Sequence, residues 1–419
     1  MMATLRSCLA LLAVLVVARP AAAQWTPVPD VPATDIFSVW ANGDTLAAGA
    51  DTAVYVSTDA GASWTRSAKV EAGVTSVEAV WVRNHRLYAG TYGQGVFVSD
   101  DLGATWLAFN QGLVGGIANS QLYIKELLVR GDSLYAATSG AGAWVRTLAG
   151  AGTWSHFGNA FEPNQASNMN DMAAGGGRLL AAAGFNGTVF FRDPGDADWT
   201  ISWLDNAGIE PGLAALSAAW TGHGWVVGSN IGVFRSPLGE EPWTLWDPGL
   251  GTLFNVSFAL RGLDLFASLG SGSGSLMVVS RDDGVTWQEL ETLPFTFTYE
   301  LAISGSDLYA GRLDGLWRRS IANVSAPERA APARMSFAIR GAQPIGADVR
   351  FRMELPVAGP IAIEVFDVAG RRAADPIRGT WPAGTHEIAW NARDLAPGVY
   401  HARLTAGARQ AVARMVRAR

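Results

Sequence analysis

A short apolar segment of the type Leu-Tyr-Ala-Gly recurs along this chain at intervals of 40 to 47 residues. The seven copies occupy residues 46–49, 87–90, 134–137, 179–182, 225–228, 265–268 and 308–311. The sequence around them alternates in period two and is rich in Val, Tyr, Phe and Trp, as β-strands are. This period matches one four-stranded propeller blade. The sequence therefore predicts an all-β chain in which residues 24–320 form a seven-bladed β-propeller.

A second pattern, Ser-x-Asp-x-Gly-x-x-Trp, occurs three times within these repeats. The Ser hydroxyl and the Asp carboxylate can accept hydrogen bonds from backbone N–H groups of a turn, and Gly adopts a conformation that a Cβ penalises. The Trp then starts the next strand and buries its ring beneath the turn. We expect a structural role for these residues, which are Ser57, Asp59, Gly61, Trp64, Ser99, Asp101, Gly103, Trp106, Ser280, Asp282, Gly284 and Trp287.

The seventh repeat lacks the Trp that would follow its third strand. Residues 25–28, WTPV, resemble the strand that normally follows the turn. We therefore expect this amino-terminal strand to pair with the last blade and to close the ring, which removes exposed sheet edges.

The first residues have the features of a secretory signal peptide. Residues 1–23 contain Arg6, an apolar run and three alanines before a cleavage point at Gln24. The run is too short to span a bilayer, and we expect no transmembrane segment. Cys8, the single cysteine, lies within this peptide, so disulfides and cysteine catalysis are excluded in the mature chain. We expect a secreted or cell-surface monomer.

Charge divides the chain into two parts. Residues 24–335 contain 17 Lys and Arg against 30 Asp and Glu, whereas residues 336–419 contain 12 against 7. An acidic propeller disfavours nucleic-acid binding, and the change of sign marks a domain boundary at a linker over residues 321–335. The five histidines have no metal-ligand spacing, and no cofactor-binding motif is present, so we expect neither a metal nor a cofactor.

The three Ser-x-Asp-x-Gly-x-x-Trp copies resemble the Asp-box of the bacterial neuraminidase repeat. That repeat occurs in sialidases, sortilin-type receptors, photosystem assembly propellers and xyloglucanases. The resemblance implies the propeller fold, with the boxes at the periphery and away from any binding centre. Sialidases also need an arginine triad and a tyrosine nucleophile with a glutamate partner, and this chain has no Phe-Arg-Ile-Pro-like segment. A glycan-active hydrolase that needs only two carboxylates stays open.

When the repeats are aligned on the Leu-Tyr-Ala-Gly segment, one position of the innermost strands is polar in most repeats, and it is here called the polar register. We expect this register to face the central channel, and its polar members are Ser38, Glu126, Asp171, Ser217, Ser257 and Glu300. Three interpretations stay open: a water-filled lining, a cation or ligand site at Glu126, Asp171 and Glu300, or catalytic carboxylates. A slip of one residue would turn every side chain to the other face.

Residues 336–419 contain short strands separated by turns, which predicts a small β-sandwich whose core residues are Ile361, Ile363, Val365, Phe366, Val399 and Leu404. The segments 365–371 (VFDVAGR), 382–386 (PAGTH), 395–400 (LAPGVY) and 415–417 (MVR) resemble the Ig-like module shared by flagellar hook-capping proteins and type IX secretion sorting domains. Residues 340–344, RGAQP, stand where that family has an Asn-Pro-Phe-like opening. The resemblance implies export and surface attachment, or a stalk, and a folded module without a sorting role stays open.

These features favour a non-catalytic propeller that presents a surface to a protein or a glycan, with a C-terminal module that handles export or attachment through outer-membrane secretion machinery. The alternative is a glycan-active hydrolase of the sialidase or xyloglucanase type, which would use channel carboxylates. No residue is assigned as catalytic. A third interpretation is an assembly factor that recognises another exported protein.

Overall fold

The computed structural model describes residues 25–114, 117–149, 152–158, 168–184, 186–205, 212–294, 296–322, 324, 335–340, 348–355, 359–381, 384–407 and 409–417. The predicted signal peptide and most of the predicted linker lie outside the described residues. Almost all regular structure in the described part of the chain is β-strand, with one 3₁₀ helix at Ile117–Leu122. No helix in these ranges is long and apolar enough to cross a membrane.

Twenty-eight strands precede residue 321 in the described ranges. They are β1 (Thr26–Pro27), β2 (Ser38–Asn42), β3 (Thr45–Gly49), β4 (Val54–Ser57), β5 (Thr65–Arg66), β6 (Val77–Arg83), β7 (Arg86–Thr91), β8 (Gly95–Ser99), β9 (Leu107–Ala108), β10 (Ile124–Arg130), β11 (Ser133–Thr138), β12 (Gly142–Thr147), β13 (Ser155–His156), β14 (Met169–Gly175), β15 (Arg178–Ala183), β16 (Thr188–Arg192), β17 (Thr200–Trp203), β18 (Ala215–Trp220), β19 (Trp225–Ser229), β20 (Gly232–Ser236), β21 (Thr244–Trp246), β22 (Leu253–Arg261), β23 (Asp264–Ser271), β24 (Gly274–Ser280), β25 (Gln288–Pro294), β26 (Thr298–Ser304), β27 (Asp307–Arg312) and β28 (Gly315–Ser320).

These strands form four-stranded antiparallel sheets, seven of them in the described residues. Six sheets take four consecutive strands each, from β2–β5 to β22–β25, and the last has the order β1-β28-β27-β26. The first strands of successive repeats, here called the inner strands, contact one another in a closed circle. The inner strands are β2, β6, β10, β14, β18, β22 and β26.

The amino-terminal strand completes the last sheet. Thr26 pairs with Arg318, and the Val28 N–H donates to the Leu316 carbonyl at 2.8 Å. The Trp25 ring, 6% exposed, is buried in the same cluster as Leu301 and Leu308 of that sheet. The predicted pairing of residues 25–28 with the last repeat is therefore confirmed.

The second strand of each sheet is buried on both faces, which explains its apolar signature. In four copies the segment ends in a glycine where the neighbouring sheet comes close, at Gly49, Gly90, Gly228 and Gly311, and the other three copies have Ala137, Ala182 and Ser268 there. A Cβ built on Gly90 would lie 2.5 Å from Ile124 Cγ2, and one built on Gly311 would lie 2.8 Å from the Ile36 carbonyl oxygen. Any side chain there would push two sheets apart, so glycine sets how closely they pack.

The Ser-x-Asp-x-Gly-x-x-Trp segments form three turns with the same hydrogen bonds. In the second copy the Ser99 hydroxyl accepts the Gly103 N–H at 2.7 Å and donates to Asp101, which in turn accepts the Thr105 N–H at 2.8 Å. The glycine has a φ of 93°, in the left-handed region that favours glycine. Ser57–Asp59–Gly61 and Ser280–Asp282–Gly284 repeat these contacts. Trp64 is buried at 7% exposure, whereas the rings of Trp106 and Trp287 are half-buried.

Residues after 335 form two antiparallel sheets around one separate core. The strands are β29 (Ser336–Arg340), β30 (Asp348–Leu355), β31 (Gly359–Asp367), β32 (Arg372–Trp381), β33 (Gly384–Asn391), β34 (Gly398–Ala406) and β35 (Arg409–Arg417). Their orders are β29-β30-β33 and β32-β31-β34-β35. Ile361, Ile363, Val365 and Leu404 are buried as expected. The Phe366 ring is only half-buried, because alternation along β31 turns it away from the face of Ile361, Ile363 and Val365, and it packs under Arg403, 4.4 Å from the guanidinium. Val399 is also only partly buried, because it alternates with the buried Tyr400 in β34.

Ring contacts of His223 with Trp381 and His386 join this C-terminal part to the preceding sheets. The His223 imidazole, which lies in the turn between β18 and β19, stacks on the Trp381 indole with ring centroids 4.1 Å apart. The same imidazole lies 3.3 Å from an Asp283 carboxylate oxygen.

Candidate binding cavity

A cavity of about 350 Å³ lies within the circle of inner strands. Its deeper lining includes five members of the predicted polar register, namely Glu126, Asp171, Ser217, Ser257 and Glu300. In the pairing, Glu126 faces Ala137 and Glu300 faces Gly311, at the end of the Leu-Tyr-Ala-Gly segment as the alignment required. The sixth, Ser38, is 1% exposed and its hydroxyl donates to the Val77 carbonyl at 3.2 Å.

A second tier of side chains lines the cavity directly above the polar register. Its members each precede a register residue by one position and are Phe37, Glu78, Lys125, Asn170, Leu216, Val256 and Tyr299. In β6, β10, β14, β18 and β26 the pairing skips this residue, which marks a β-bulge. A bulge places two consecutive residues opposite one partner, so both can face the same side.

Sequence reasoning missed this second tier because it assumed strict alternation along each inner strand. A signal was present, since Lys125-Glu126 and Asn170-Asp171 are consecutive polar pairs that break the alternation. Such pairs in a buried strand are the mark of a bulge rather than of a regular strand.

The carboxylates of the register bind backbone groups of the next sheet. Asp171 Oδ2 accepts the Ala218 N–H at 2.8 Å, and Glu300 Oε2 accepts the Val39 N–H at 2.7 Å. The Ser257 hydroxyl accepts the Leu301 N–H at 2.9 Å in the same manner. The inner edges of the inner strands have no further strand to pair with, so these side chains satisfy donors that would otherwise be unpaired.

Burial raises the pKa values of the three carboxyl groups. It raises the pKa of Glu300 to about 8 and that of Asp171 to about 6, although each accepts a backbone N–H that opposes the shift. Burial, and then the charges of Glu300 and Asp171, raise the pKa of Glu126 well above its usual range. Removing a carboxylate from water disfavours its charged form, and neighbouring carboxylates add to this. Near neutral pH, Glu300 therefore retains its proton while Asp171 is mostly ionised.

The mouth of the cavity carries aromatic rings and one ion pair. Lys125 Nζ lies 3.0 Å from a Glu78 carboxylate oxygen, and the other Glu78 oxygen accepts the Ser76 hydroxyl at 2.6 Å. The Phe37 and Tyr299 rings lie 5.3 Å apart. Phe254 lines the cavity and is 61% exposed, an unusual position for a large apolar side chain.

Within the described residues, no group of three or more His, Cys, Asp or Glu side chains is arranged to hold a metal ion. The three Ser-Asp-Gly-Trp turns also lie away from the cavity. Ser57 pairs with Leu46 in β3, whereas the cavity-side register residue Ser38 pairs with Gly49 at the opposite end of that strand.

The chain matches no protein-family model and no curated protein. Among solved structures it is similar to YCF48 bound to a D1 peptide, with a TM-score of 0.56 and 14% identity over 73% of this chain and 97% of that one. It is also similar to PorZ, a bacterial surface component of the type IX secretion system of Porphyromonas gingivalis, with a TM-score of 0.50 and 17% identity over 92% of this chain and 60% of PorZ.

A third similar structure is the extracellular domain of BT4673 from B. thetaiotaomicron, with a TM-score of 0.54 and 12% identity over 94% of this chain and 59% of that one. At these identities the likeness concerns the fold alone. The described sheets that precede residue 321 have the β-propeller fold.

Proposed function

We propose that this protein is an exported, non-catalytic, seven-bladed Asp-box propeller that binds a protein or glycan ligand at the mouth of its central cavity. Residues 336–419 would be an Ig-like module for export or attachment at the outer surface. PorZ is a surface component of a secretion system and YCF48 was solved with a bound peptide, which is consistent with an exported binding protein.

The observation that carries the proposal is the hydrogen bonding of the channel carboxyl groups to backbone N–H groups. Asp171 accepts N–H groups from Met172 and Ala218, one on each oxygen, and Glu300 accepts one from Val39. A glycosidase nucleophile or base needs an oxygen free to reach the sugar. Both oxygens of Asp171 are instead engaged by backbone N–H groups, whereas Phe254 and Tyr299 at the mouth offer the aromatic surface that binding sites use.

A glycan array and a panel of fluorogenic glycosides, both applied to the mature chain, test the proposal. We expect no turnover, and binding of a ligand found on the array should weaken on Phe254→Ala. Leu107→Ala is the matched control, because Leu107 is also an exposed apolar side chain, 67% accessible, but does not line the cavity.

One observation favours the hydrolase alternative. The pKa of Glu300 is near 8 and that of Asp171 near 6, and such a separation can supply one protonated and one ionised carboxyl. Turnover of any glycoside that disappears on Asp171→Asn or Glu300→Gln would replace the binding proposal with the hydrolase.

The export role of the C-terminal module has its own test. The full chain and a chain ending at residue 335 should be expressed in a host that has the type IX secretion system. We expect the full chain at the cell surface or in the medium and the shortened chain in the periplasm. Equal distribution of both chains would show that residues 336–419 do not direct export.

A further inference from the structure

One hydroxyl of the cavity has no hydrogen-bond partner in the protein. Ser217 is 7% exposed and lines the cavity, and its Oγ is enclosed and unpaired. Asn255, another lining residue, leaves its Oδ1 unpaired. Buried polar atoms are nearly always satisfied, so unpaired atoms on a cavity wall mark positions where a ligand or an ordered water forms the missing bonds. Both atoms can accept a hydrogen bond from a donor that enters the cavity.

The charges of the lining favour a cation. Glu126, Asp171 and Glu300 lie in the deeper tier, and among the lining residues the single cationic side chain is Lys125, already paired with Glu78 at 3.0 Å. Because the carboxyls outnumber the cation, the lining has an excess of acidic groups. The whole span of residues 24–335, with 17 Lys and Arg against 30 Asp and Glu, has the same sign and attracts cations to the mouth.

The walls above the carboxyls suit an aliphatic stem. Phe37 and Tyr299 stand next to each other with ring centroids 5.3 Å apart, and Phe254 extends this surface outward. Lys and Arg side chains lay their methylene stems along such apolar surfaces while the charged group reaches a polar site, and aromatic faces attract the cation itself. A cavity of about 350 Å³ is of the size that holds one such side chain.

We propose that the cavity binds a Lys or Arg side chain that projects from a protein partner, with its stem against the aromatic walls and its charged group among the carboxyls and Ser217. The inference rests on the binding function proposed above and names the class of partner. Neutral and acidic glycans lack the positive charge that this lining would compensate.

Proton release accompanies such binding. The carboxyls whose pKa values are raised by burial, Glu300 to about 8 and Asp171 to about 6, hold protons that a bound cation displaces. Affinity for a cation therefore increases as the pH rises through about 6 to about 8. The other titratable groups that face the cavity are Glu126, Glu78, Lys125 and Tyr299.

Titration calorimetry on the mature full chain tests the proposal with three acetylated, amidated tripeptides that have Lys, Arg or norleucine between two glycines. Norleucine has the stem of Lys without its charge. At about pH 8 we expect the Lys or Arg peptide to bind at least about tenfold more tightly than the norleucine peptide, since charged hydrogen bonds are the stronger ones. Repeating the titration in two buffers of different ionisation enthalpy should reveal protons released on binding.

Two variants locate the site. Glu126→Gln should weaken Lys-peptide binding about tenfold, and Ser217→Ala should weaken it by a smaller factor of about two to five. Glu71→Gln is the matched control, because Glu71 is an exposed carboxylate outside the cavity lining. A thermal melt establishes that each variant is folded, and Ser217→Ala carries the test if Glu126→Gln does not fold.

The outcomes separate this inference from the proposed function. Equal binding of the norleucine and Lys peptides, no binding of either charged peptide, or unchanged Lys-peptide binding in both variants overturns the inference. Glycan binding without Lys or Arg binding also overturns it and leaves the binding function standing. Glycoside turnover overturns the binding function whatever the peptides do.

Discussion

Replacing Glu300 by Gln tests whether the central carboxyls are as strongly buried as the geometry indicates. Glu300 Oε2 accepts the Val39 N–H at 2.7 Å, a bond that links the last sheet to the first. A Gln side chain retains an oxygen that can accept this bond but has no charge. The substitution therefore removes ionisation and preserves the hydrogen bond and the volume.

The magnitude follows from the difference between the folded and unfolded pKa values. Burial raises the folded pKa of Glu300 from 4.5 to about 8. The folded state therefore binds more protons than the unfolded state across this range, and the free energy of unfolding falls as the pH rises from 4.5 to about 8. Above about 8 both states are ionised and the loss is complete. At 1.36 kcal/mol per pKa unit, the loss is on the order of 3 to 5 kcal/mol.

Urea denaturation of the mature chain, measured at several pH values between about 4.5 and 9, provides the assay. We expect Glu300→Gln to be close to the parent protein at the acidic end and more stable than it at the alkaline end. Glu71→Gln, an exposed change of the same kind, should leave the pH profile unaltered. Parallel pH profiles for the parent and Glu300→Gln would refute the claim that Glu300 holds its proton in the folded state.

Three further changes test other parts of the fold by denaturation or hydrogen exchange. Ser99→Ala should cost about 1 to 3 kcal/mol because the buried Gly103 N–H loses its acceptor, and an unchanged urea midpoint would contradict this. Trp25→Ala should cost about 3 to 5 kcal/mol if β1 seals the ring, and a melt like that of the parent would count against closure. His223→Ala should increase amide exchange near Trp381, its stacking partner, and equal exchange would show that the stack does not hold the C-terminal part.

The sequence specified the propeller well because its constraints repeat. A small residue recurs where two sheets approach, and it is a glycine such as Gly90 or Gly311 in four of the seven copies, so the copies report a similar packing requirement. The register of the inner strands was also predictable, since Glu126 and Glu300 keep a constant offset from the buried second strand. The pairing of residues 25–28 with the last repeat followed from a missing Trp.

Other features depended on contacts between distant residues and left weak signals. The bulges that bring Lys125 and Tyr299 into the cavity depend on local pairing, which a period-two pattern cannot express. Strand β32 leaves a weak signal in the sequence, because Pro376 and its charged neighbours resemble a loop, yet it pairs with β31. The raised pKa values of the central carboxyls arise only when the inner strands come together around one cavity.

The strand order of the last sheet has a consequence for how the protein is made. Thr26 and Arg318, which are 292 residues apart, meet only after the final repeat has been synthesised, so β1 waits without a partner while the earlier sheets form. Any machinery that moves the chain across a membrane in an extended form must therefore move all of the repeats across before β1 can pair with β28. A rearranged gene in which residues 25–37 follow residue 322 would encode the last sheet as one continuous stretch and would remove this delay.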